Sequence, residues 1–227
     1  MIEILILIII TISYTYSYVI NSINPLNPLN HDFLKYYVNS DFNNVSDECK
    51  NDLNLSIEFS ECSPYHLKIY FSNYKEICST VNSEKCQNFY KDPFSYLPNC
   101  KNDSTVINKF SPVAVETAKV GINYYCTTND DGEICPAPEA TLKGLSIRGN
   151  KNIISNTCKS RQCIKGLTDY LNNALNNINE LEEKSVTSTS RKTLESYKSI
   201  LEELKSKNCI SLIKDATKIL NKSFIEC

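Results

Sequence analysis

Residues 164–181 read IKGLTDYLNNALNNINEL, and this stretch decides the fold class. Its apolar residues recur at intervals of three and four, which places them on one face of an α-helix. These residues are Ile164, Leu167, Leu171, Ala174, Ile178 and Leu181. The stripe predicts a long amphipathic helix whose apolar face is buried against neighbouring helices.

Two further apolar stripes follow, beyond the polar residues 183–190. The first comprises Leu194, Tyr197, Leu201 and Leu204, and the second comprises Cys209, Ile213, Ala216, Leu220 and Phe224. Three amphipathic helices with short polar connections predict an antiparallel bundle over residues 158–227. A two-heptad coiled coil that forms a dimer is the alternative interpretation of these stripes.

Helical patterns extend upstream of this section. Ser63-Pro64 and Ser111-Pro112 each combine a capping serine with a proline in the first turn, as helix starts do. The first pair would begin a helix whose apolar stripe is Leu67, Tyr70, Phe71, Tyr74, Ile77, Cys78 and Val81. A chain of 227 residues with only 5 glycines disfavours turn-rich β architectures. We therefore predict an all-α domain over residues 46–227.

Eleven cysteines, all of them after residue 48, predict a helical bundle stapled by disulfides. They are Cys49, Cys62, Cys78, Cys86, Cys100, Cys126, Cys135, Cys158, Cys163, Cys209 and Cys227. Cys158 and Cys163 would be too far apart on one helix to pair, so each should staple a different neighbouring helix. Because the number is odd, Cys227 is the candidate for a free thiol or for a disulfide-linked dimer. The alternative is that Cys227 attaches the last helix to the bundle.

The loop between Cys126 and Cys135 contains Asp131-Gly132, a dipeptide typical of hairpin turns. We predict a short hairpin here, closed by a local Cys126–Cys135 disulfide. No Cys-x-x-Cys pair occurs, and the two histidines are His31 and His66. No metal site and no cofactor is therefore expected.

The N-terminal segment predicts export. Residues 1–17 contain the apolar run Ile4–Ile10, which is too short to span a bilayer but suits a signal peptide. Thr15 and Ser17 supply the small residues expected before a cleavage site, although Glu3 stands where a basic residue is usual. A buried N-terminal helix is the alternative. Residues 18–45, with a tandem Asn-Pro-Leu, predict an exposed leader.

Four sequons agree with a secreted, extracellular protein that has no transmembrane span after cleavage. They are Asn44, Asn54, Asn102 and Asn221. The net charge of −2 lacks the electrostatic footprint of a nucleic-acid-binding protein.

One charge pattern suggests a binding surface. The chain carries no acid between Glu139 and Asp169, while six basic residues lie there. They are Lys143, Arg148, Lys151, Lys159, Arg161 and Lys165. Such a segment could face an anionic lipid headgroup, a polyanionic glycan or an acidic protein partner, and an ordinary solvated face is the alternative.

The common catalytic motifs are absent from the sequence, including Gly-x-Ser-x-Gly, phosphate-binding glycine loops and His-Glu-x-x-His. His31-Asp32 resembles the catalytic pair of secreted phospholipases A2, and that resemblance implies a histidine that activates water. Here no cysteine precedes Cys49, and no calcium loop precedes the pair. Despite these departures, a secreted hydrolase that uses His31-Asp32 or scattered carboxylates is kept as one alternative function.

Two cysteine-bearing segments carry a family resemblance. Thr157-Cys158-Lys-Ser-Arg-Gln-Cys163 before a long helix, and Tyr125-Cys126 to Cys135-Pro136, are similar to segments of small secreted cysteine-rich proteins of fungi. The resemblance implies export and a fungal origin. Cys-x4-Cys with a terminal cysteine also resembles elicitins, which implies a sterol carrier. We predict a secreted protein that acts by binding, with a carrier of a lipid or sterol as the alternative.

Overall fold

The computed structural model describes residues 42, 45–67, 69–184 and 189–212. The regular secondary structure of these residues is helical, apart from one isolated antiparallel bridge between Thr128 and Ile134, and turns and loops connect the helices. In chain order the α-helices are α1 Asp47–Leu55, α2 Ile57–Cys62, α3 Tyr74–Val81, α4 Glu84–Lys91, α5 Ser104–Lys109, α6 Pro112–Tyr125, α7 Pro136–Leu142, α8 Lys151–Thr157, α9 Arg161–Glu183 and α10 Arg191–Leu204. Short 3-10 helices cover Pro93–Ser95 and Pro98–Cys100, and a last helix is described over 207–212. The all-α prediction is confirmed.

Serine side chains cap half of the ten α-helices α1–α10. The serine before each of α1, α2, α4, α9 and α10 accepts a hydrogen bond from a backbone N–H of the first turn. Ser111-Pro112 begins α6 as predicted, because the proline lacks only a donor that the first turn leaves unpaired. The predicted capping by Ser111 is wrong, since its side chain accepts no hydrogen bond from the first turn.

The other predicted start, Ser63-Pro64, is wrong. Ser63 ends α2, residues 64–66 form a turn, and α3 begins at Tyr74. The turn lets the side chain of Tyr65 enter the core, where its hydroxyl donates a hydrogen bond to the Lys109 carbonyl at 2.6 Å. Tertiary packing of one aromatic residue therefore overrides a local capping signal.

The C-terminal half of the core is built from tyrosines on three helices. Tyr124 on α6 stacks on Tyr170 of α9 with ring centroids 4.6 Å apart, and Tyr170 contacts Tyr197 of α10 at 6.4 Å. The Tyr124 and Thr141 hydroxyls are hydrogen-bonded at 3.2 Å. Burial raises the pKa of Tyr124, Tyr125 and Tyr170 well above the usual value for tyrosine. These rings fill the space between the three helices.

The N-terminal half of the core is a cluster of edge-to-face aromatic rings. Phe59, Tyr65 and Phe89 each contact Phe110 with centroids 5.3–6.0 Å apart. Phe42 also packs against Phe59 and Tyr65, and Val45 is only 4% exposed. The end of the predicted leader, residues 18–45, is therefore part of the core at these two positions. Its other residues, and the predicted signal peptide 1–17, lie outside the described part of the chain.

Ten cysteines form five disulfides. The pairs are Cys49–Cys100, Cys62–Cys86, Cys78–Cys126, Cys135–Cys163 and Cys158–Cys209. Cys158 and Cys163 do staple different elements, the helix over 207–212 and the start of α7, as their spacing predicted. Cys227, and with it the prediction of a free or intermolecular thiol, lies outside the described residues.

The predicted Cys126–Cys135 disulfide is wrong, although the hairpin itself is present. The backbone N–H of Cys135 donates to the Thr127 carbonyl at 3.0 Å, so the hairpin places Thr127, not Cys126, opposite Cys135. Cys126 still has the helical conformation of the end of α6. This offset of one residue directs the two sulfurs to different partners, Cys78 on α3 and Cys163 on α9.

The helical section predicted for 158–227 is present as far as it is described. Helices α9 and α10 carry buried apolar faces, and Cys158–Cys209 ties the segment before α9 to the helix that follows α10. Residues 213–227, which hold most of the third stripe, are not described. Among the described residues, no helix combines the length and apolarity needed to cross a bilayer.

Candidate binding groove

A groove of about 390 Å³ opens on the surface between α3 and the hairpin that precedes α7. One wall consists of the turn before α3 and the first residues of that helix, namely Phe71, Ser72, Tyr74 and Lys75. The opposite wall comes from the hairpin and α7, and it consists of Glu133, Ile134 and Glu139. We call this feature the aromatic groove.

A tight turn exposes the aromatic wall. The Asn73 side-chain carbonyl accepts a hydrogen bond from the Tyr70 backbone N–H at 2.7 Å, and the Asn73 N–H donates to the Tyr70 carbonyl at 3.2 Å. The turn leaves Tyr70 57% exposed and Phe71 42% exposed. The Phe71 and Tyr74 rings lie nearly parallel, at 26°, with centroids 6.0 Å apart. Exposed aromatic rings on a concave surface are typical of ligand-binding sites.

Backbone hydrogen bonds fix the opposite wall. The Asn129 side-chain carbonyl accepts from the N–H groups of Asp131 and Glu133 at 3.0 and 2.9 Å. The Asn129 N–H donates to the Glu133 carbonyl at 2.7 Å, and Gly132 supplies the positive φ of 78° that the turn requires. Glu133 therefore has a defined position at the edge of the groove.

Lys143 joins the two walls. Its Nζ lies 2.5 Å from Glu139 Oε1, one turn earlier on α7, and 4.5 Å from the centroid of the Phe71 ring. The ammonium group thus makes an ion pair and a cation–π contact at once. Together these contacts hold the Phe71 ring next to the Glu139 carboxylate.

Two disulfides lie next to the groove and constrain its walls. Cys78 lies three residues after Lys75 on α3 and is joined to Cys126 at the foot of the hairpin. Cys135 follows Ile134 directly and is joined to Cys163 on α9. Each wall therefore has a disulfide to another part of the chain within three residues of a groove-lining residue, which favours a preformed site.

All six basic residues of the predicted basic segment are exposed, but two of them are neutralised by ion pairs. Lys143 pairs with Glu139, and Lys165 pairs with Asp169. These two acids border the acid-free segment, and helical i,i+4 spacing brings each within reach of the nearest base. Lys159 donates to the Asn156 side chain, and Arg161 begins α9. The role of the basic segment as an anion-facing patch stays a prediction.

Arg148 and Lys151 line a second depression, of about 530 Å³, formed by the continuous segment 146–152. One segment of chain supplies all of its lining, and no aromatic ring contributes to it. A third depression, of about 280 Å³, contains the sequon residue Asn54 beside Phe59 and His66. Of these three depressions, the aromatic groove combines aromatic rings with both acidic and basic side chains, whereas the third has rings and Lys50 but no acidic residue in its lining.

Two of the four predicted sequons lie within the described residues. Asn54 is exposed on α1, and Asn102 is exposed in the turn before α5. Asn44 and Asn221, like His31-Asp32, lie outside them. Glycosylation and the hydrolase alternative therefore stay predictions. The described residues contain no group of histidine, cysteine and carboxylate side chains that could hold a metal ion.

Sequence reasoning missed the aromatic groove. The helix predicted to start at Ser63 would have Phe71 and Tyr74 on its buried stripe, whereas in the structure both line the surface of a groove. The pair Ser72-Asn73 was the available signal, because such residues favour turns and helix starts. A helix starting there would have moved Tyr70 and Phe71 off the stripe.

Comparison of the chain with known protein families, with curated proteins and with solved structures gives no match.

Proposed function

We propose that this protein is a secreted binding protein whose ligand site is the aromatic groove. The observation that carries the proposal is the ring pair of exposed Phe71 and half-buried Tyr74, which faces Glu133 and Glu139 across a groove. A disulfide lies next to each wall of this groove. Five disulfides support an oxidising, extracellular environment. The predicted signal peptide agrees with that location.

The packing of the interior favours surface binding over the carrier alternative. A lipid or sterol carrier needs an apolar chamber between its helices. Between α6, α9 and α10 this space is occupied by Tyr124, Tyr170 and Tyr197, all of which are at most 3% exposed. A ligand at the aromatic groove requires no displacement of these core side chains.

The first test is binding to four probes: insoluble cellulose, insoluble chitin, vesicles of phosphatidylserine with phosphatidylcholine, and immobilised heparin. We expect saturable binding to at least one probe, abolished by the double substitution Phe71→Ala/Tyr74→Ala. Ile107→Ala is the matched control, because Ile107 is 40% exposed, close to the value for Phe71, and lies outside the groove. Absence of saturable binding, or binding that the double substitution leaves intact, would overturn the proposal.

A second test uses the disulfides. Cys78→Ala/Cys126→Ala removes the disulfide between α3 and the foot of the hairpin, next to the groove. The matched control is Cys49→Ala/Cys100→Ala, which removes the disulfide between α1 and the 3-10 helix at Pro98–Cys100. The two bonds have almost the same sequence separation, 48 and 51 residues. Each pair should contribute about 4 kcal/mol to the free energy of unfolding in the chain-entropy model. We expect both variants to lose similar stability, and only Cys78→Ala/Cys126→Ala to lose affinity under conditions where both are folded. Equal losses of affinity would show that the disulfide near the groove has no special role.

A further inference from the structure

The aromatic groove combines ring faces with a balanced set of charges. Lys75 lies on one wall and Lys143 beside it, while Glu133 and Glu139 lie on the other wall. Ser72 adds a hydroxyl that can donate and accept hydrogen bonds. Two carboxylates at the groove would repel a phosphate or sulfate group, and two ammonium groups would repel a cationic peptide. The groove therefore suits an uncharged ligand rich in hydroxyl groups.

We propose that the aromatic groove binds a neutral saccharide chain of flat, β-linked pyranose rings. A pyranose ring of this kind presents axial C–H groups on its faces, and these partly positive hydrogens are attracted to the negative face of an aromatic ring. Its equatorial hydroxyls point outward, where carboxylates accept and ammonium groups donate hydrogen bonds. This inference rests on the function proposed above and specifies the ligand of the same site.

The geometry agrees with a short stretch of such a chain. The groove volume of about 390 Å³ lies in the lower part of the range of about 300–1,000 Å³ found for small-molecule sites. Because the groove opens on the surface, a longer polymer can continue beyond it. Phe71 is already oriented by Lys143 and by its near-parallel neighbour Tyr74, so little side-chain entropy is lost on binding.

The experiment is isothermal titration calorimetry of the intact protein with cellohexaose and chitohexaose. Maltohexaose is the matched control ligand, since it contains glucose rings joined by α-linkages that curl the chain. We expect the β-linked ligands to bind and maltohexaose to bind at least about tenfold more weakly. Phe71→Ala, at a position that is 42% exposed, should weaken binding of the β-linked ligand about tenfold, and Ile107→Ala should have no effect.

The carboxylates are tested by isosteric substitution. Glu133→Gln and Glu139→Gln should each weaken binding several-fold, because a neutral amide accepts weaker hydrogen bonds than a carboxylate. Glu180→Gln is the control, because Glu180 forms the same i,i+4 pair, with Lys184, away from the groove. Affinity should also stay constant between about 0.1 M and about 1 M salt, over which the Debye length falls from about 10 to about 3 Å.

The outcomes distinguish failure of the saccharide inference from failure of the aromatic groove as the binding site. If neither β-linked hexaose binds, or both bind no better than maltohexaose, the saccharide inference is wrong. In that case vesicle or heparin binding that still requires Phe71 and Tyr74 would leave the proposed function standing. If the hexaoses bind with equal affinity to the Phe71→Ala variant, both the inference and the assignment of the groove are overturned.

Discussion

A Cβ atom placed on Gly166 would lie 2.6 Å from Thr127 Oγ1 and 2.9 Å from Thr127 Cγ2. Gly166 is near the start of α9, and Thr127 is at the foot of the hairpin that carries one wall of the aromatic groove. The Thr127 hydroxyl is held in place by donating to the Asn123 carbonyl at 2.9 Å. Helix α9 can therefore approach the hairpin this closely only because residue 166 has no side chain.

This contact predicts that Gly166→Ala destabilises the protein. Alanine is favoured over glycine inside a helix by about 1 kcal/mol, whereas forcing a methyl group into a filled space costs about 1–3 kcal/mol. We expect a net loss of about 1 kcal/mol in the free energy of unfolding, measured by urea denaturation followed by circular dichroism.

The companion variant tests the cause. Thr127→Ala removes the two closest atoms, so Gly166→Ala in that background should be neutral or stabilising. The double-mutant cycle should give a coupling energy of about 1 kcal/mol or more. Stabilisation by Gly166→Ala in the unmodified chain would show that the close approach is absent.

Among the described residues, the disulfide pattern predicts that the hairpin is the one covalent link between two halves of the cysteine-rich domain. Of the five disulfides, three join cysteines up to Cys126 and two join cysteines from Cys135 onward. We expect a chain with a protease site inserted between Asp130 and Asp131, and with Cys227→Ser, to separate into two fragments after cleavage. The measurement is denaturing electrophoresis without reductant.

Under native conditions the same cleaved chain should stay together, because α6 in one fragment packs against α9 in the other through the Tyr124–Tyr170 stack. Size-exclusion chromatography reports this. A single band that separates only after reduction would mean that a disulfide crosses the hairpin, as a Cys126–Cys135 pair would.

The disulfide next to the groove should be the first to be reduced. Cys78 and Cys126 are half-buried, whereas each cysteine of the other four pairs is at most 2% exposed. Access of the attacking thiolate limits exchange, so exposed disulfides react first. We expect graded reduction, alkylation and peptide mapping to label Cys78 and Cys126 before the rest. Simultaneous labelling of all ten would contradict the difference in accessibility.

The buried tyrosines predict a loss of stability at alkaline pH. Burial raises the pKa of Tyr90, Tyr124, Tyr125 and Tyr170 above the value of the unfolded chain, which is about 10. Above that pH the unfolded state releases protons that the folded state retains, so the free energy of unfolding falls as pH rises. Below a pH of about 10 these four tyrosines are protonated in both states, so they give the free energy of unfolding no dependence on pH.

Each of these tyrosines can contribute up to about 1.4 kcal/mol per pH unit to the slope. Urea denaturation at a series of pH values measures the slope, and the absorbance of tyrosinate reports ionisation. Tyr170→Phe should make the fall of the free energy of unfolding with pH shallower, by the contribution of one tyrosine. A decline that begins well below pH of about 10 would have to come from other groups.

Local patterns in the sequence were sufficient for the class of fold and for many of its helices. The stripe from Ile164 to Leu181 is the buried face of α9, and α6 begins at Ser111-Pro112, where the sequence predicted it. Such features depend on residues three or four apart, whose contacts form within a single helix. Cysteine content likewise predicted the disulfide-stapled class without any knowledge of packing.

Only the tertiary structure decided how the cysteines pair and where a ligand can bind. Cys49 and Cys100, or Cys158 and Cys209, are 51 residues apart, and they meet because of how separate helices pack. The same holds for the two walls of the aromatic groove, since Phe71 and Glu139 become neighbours only through α3, the hairpin and Lys143. A helical repeat specifies which face of a helix is buried, but it carries no information on which other helix will cover that face.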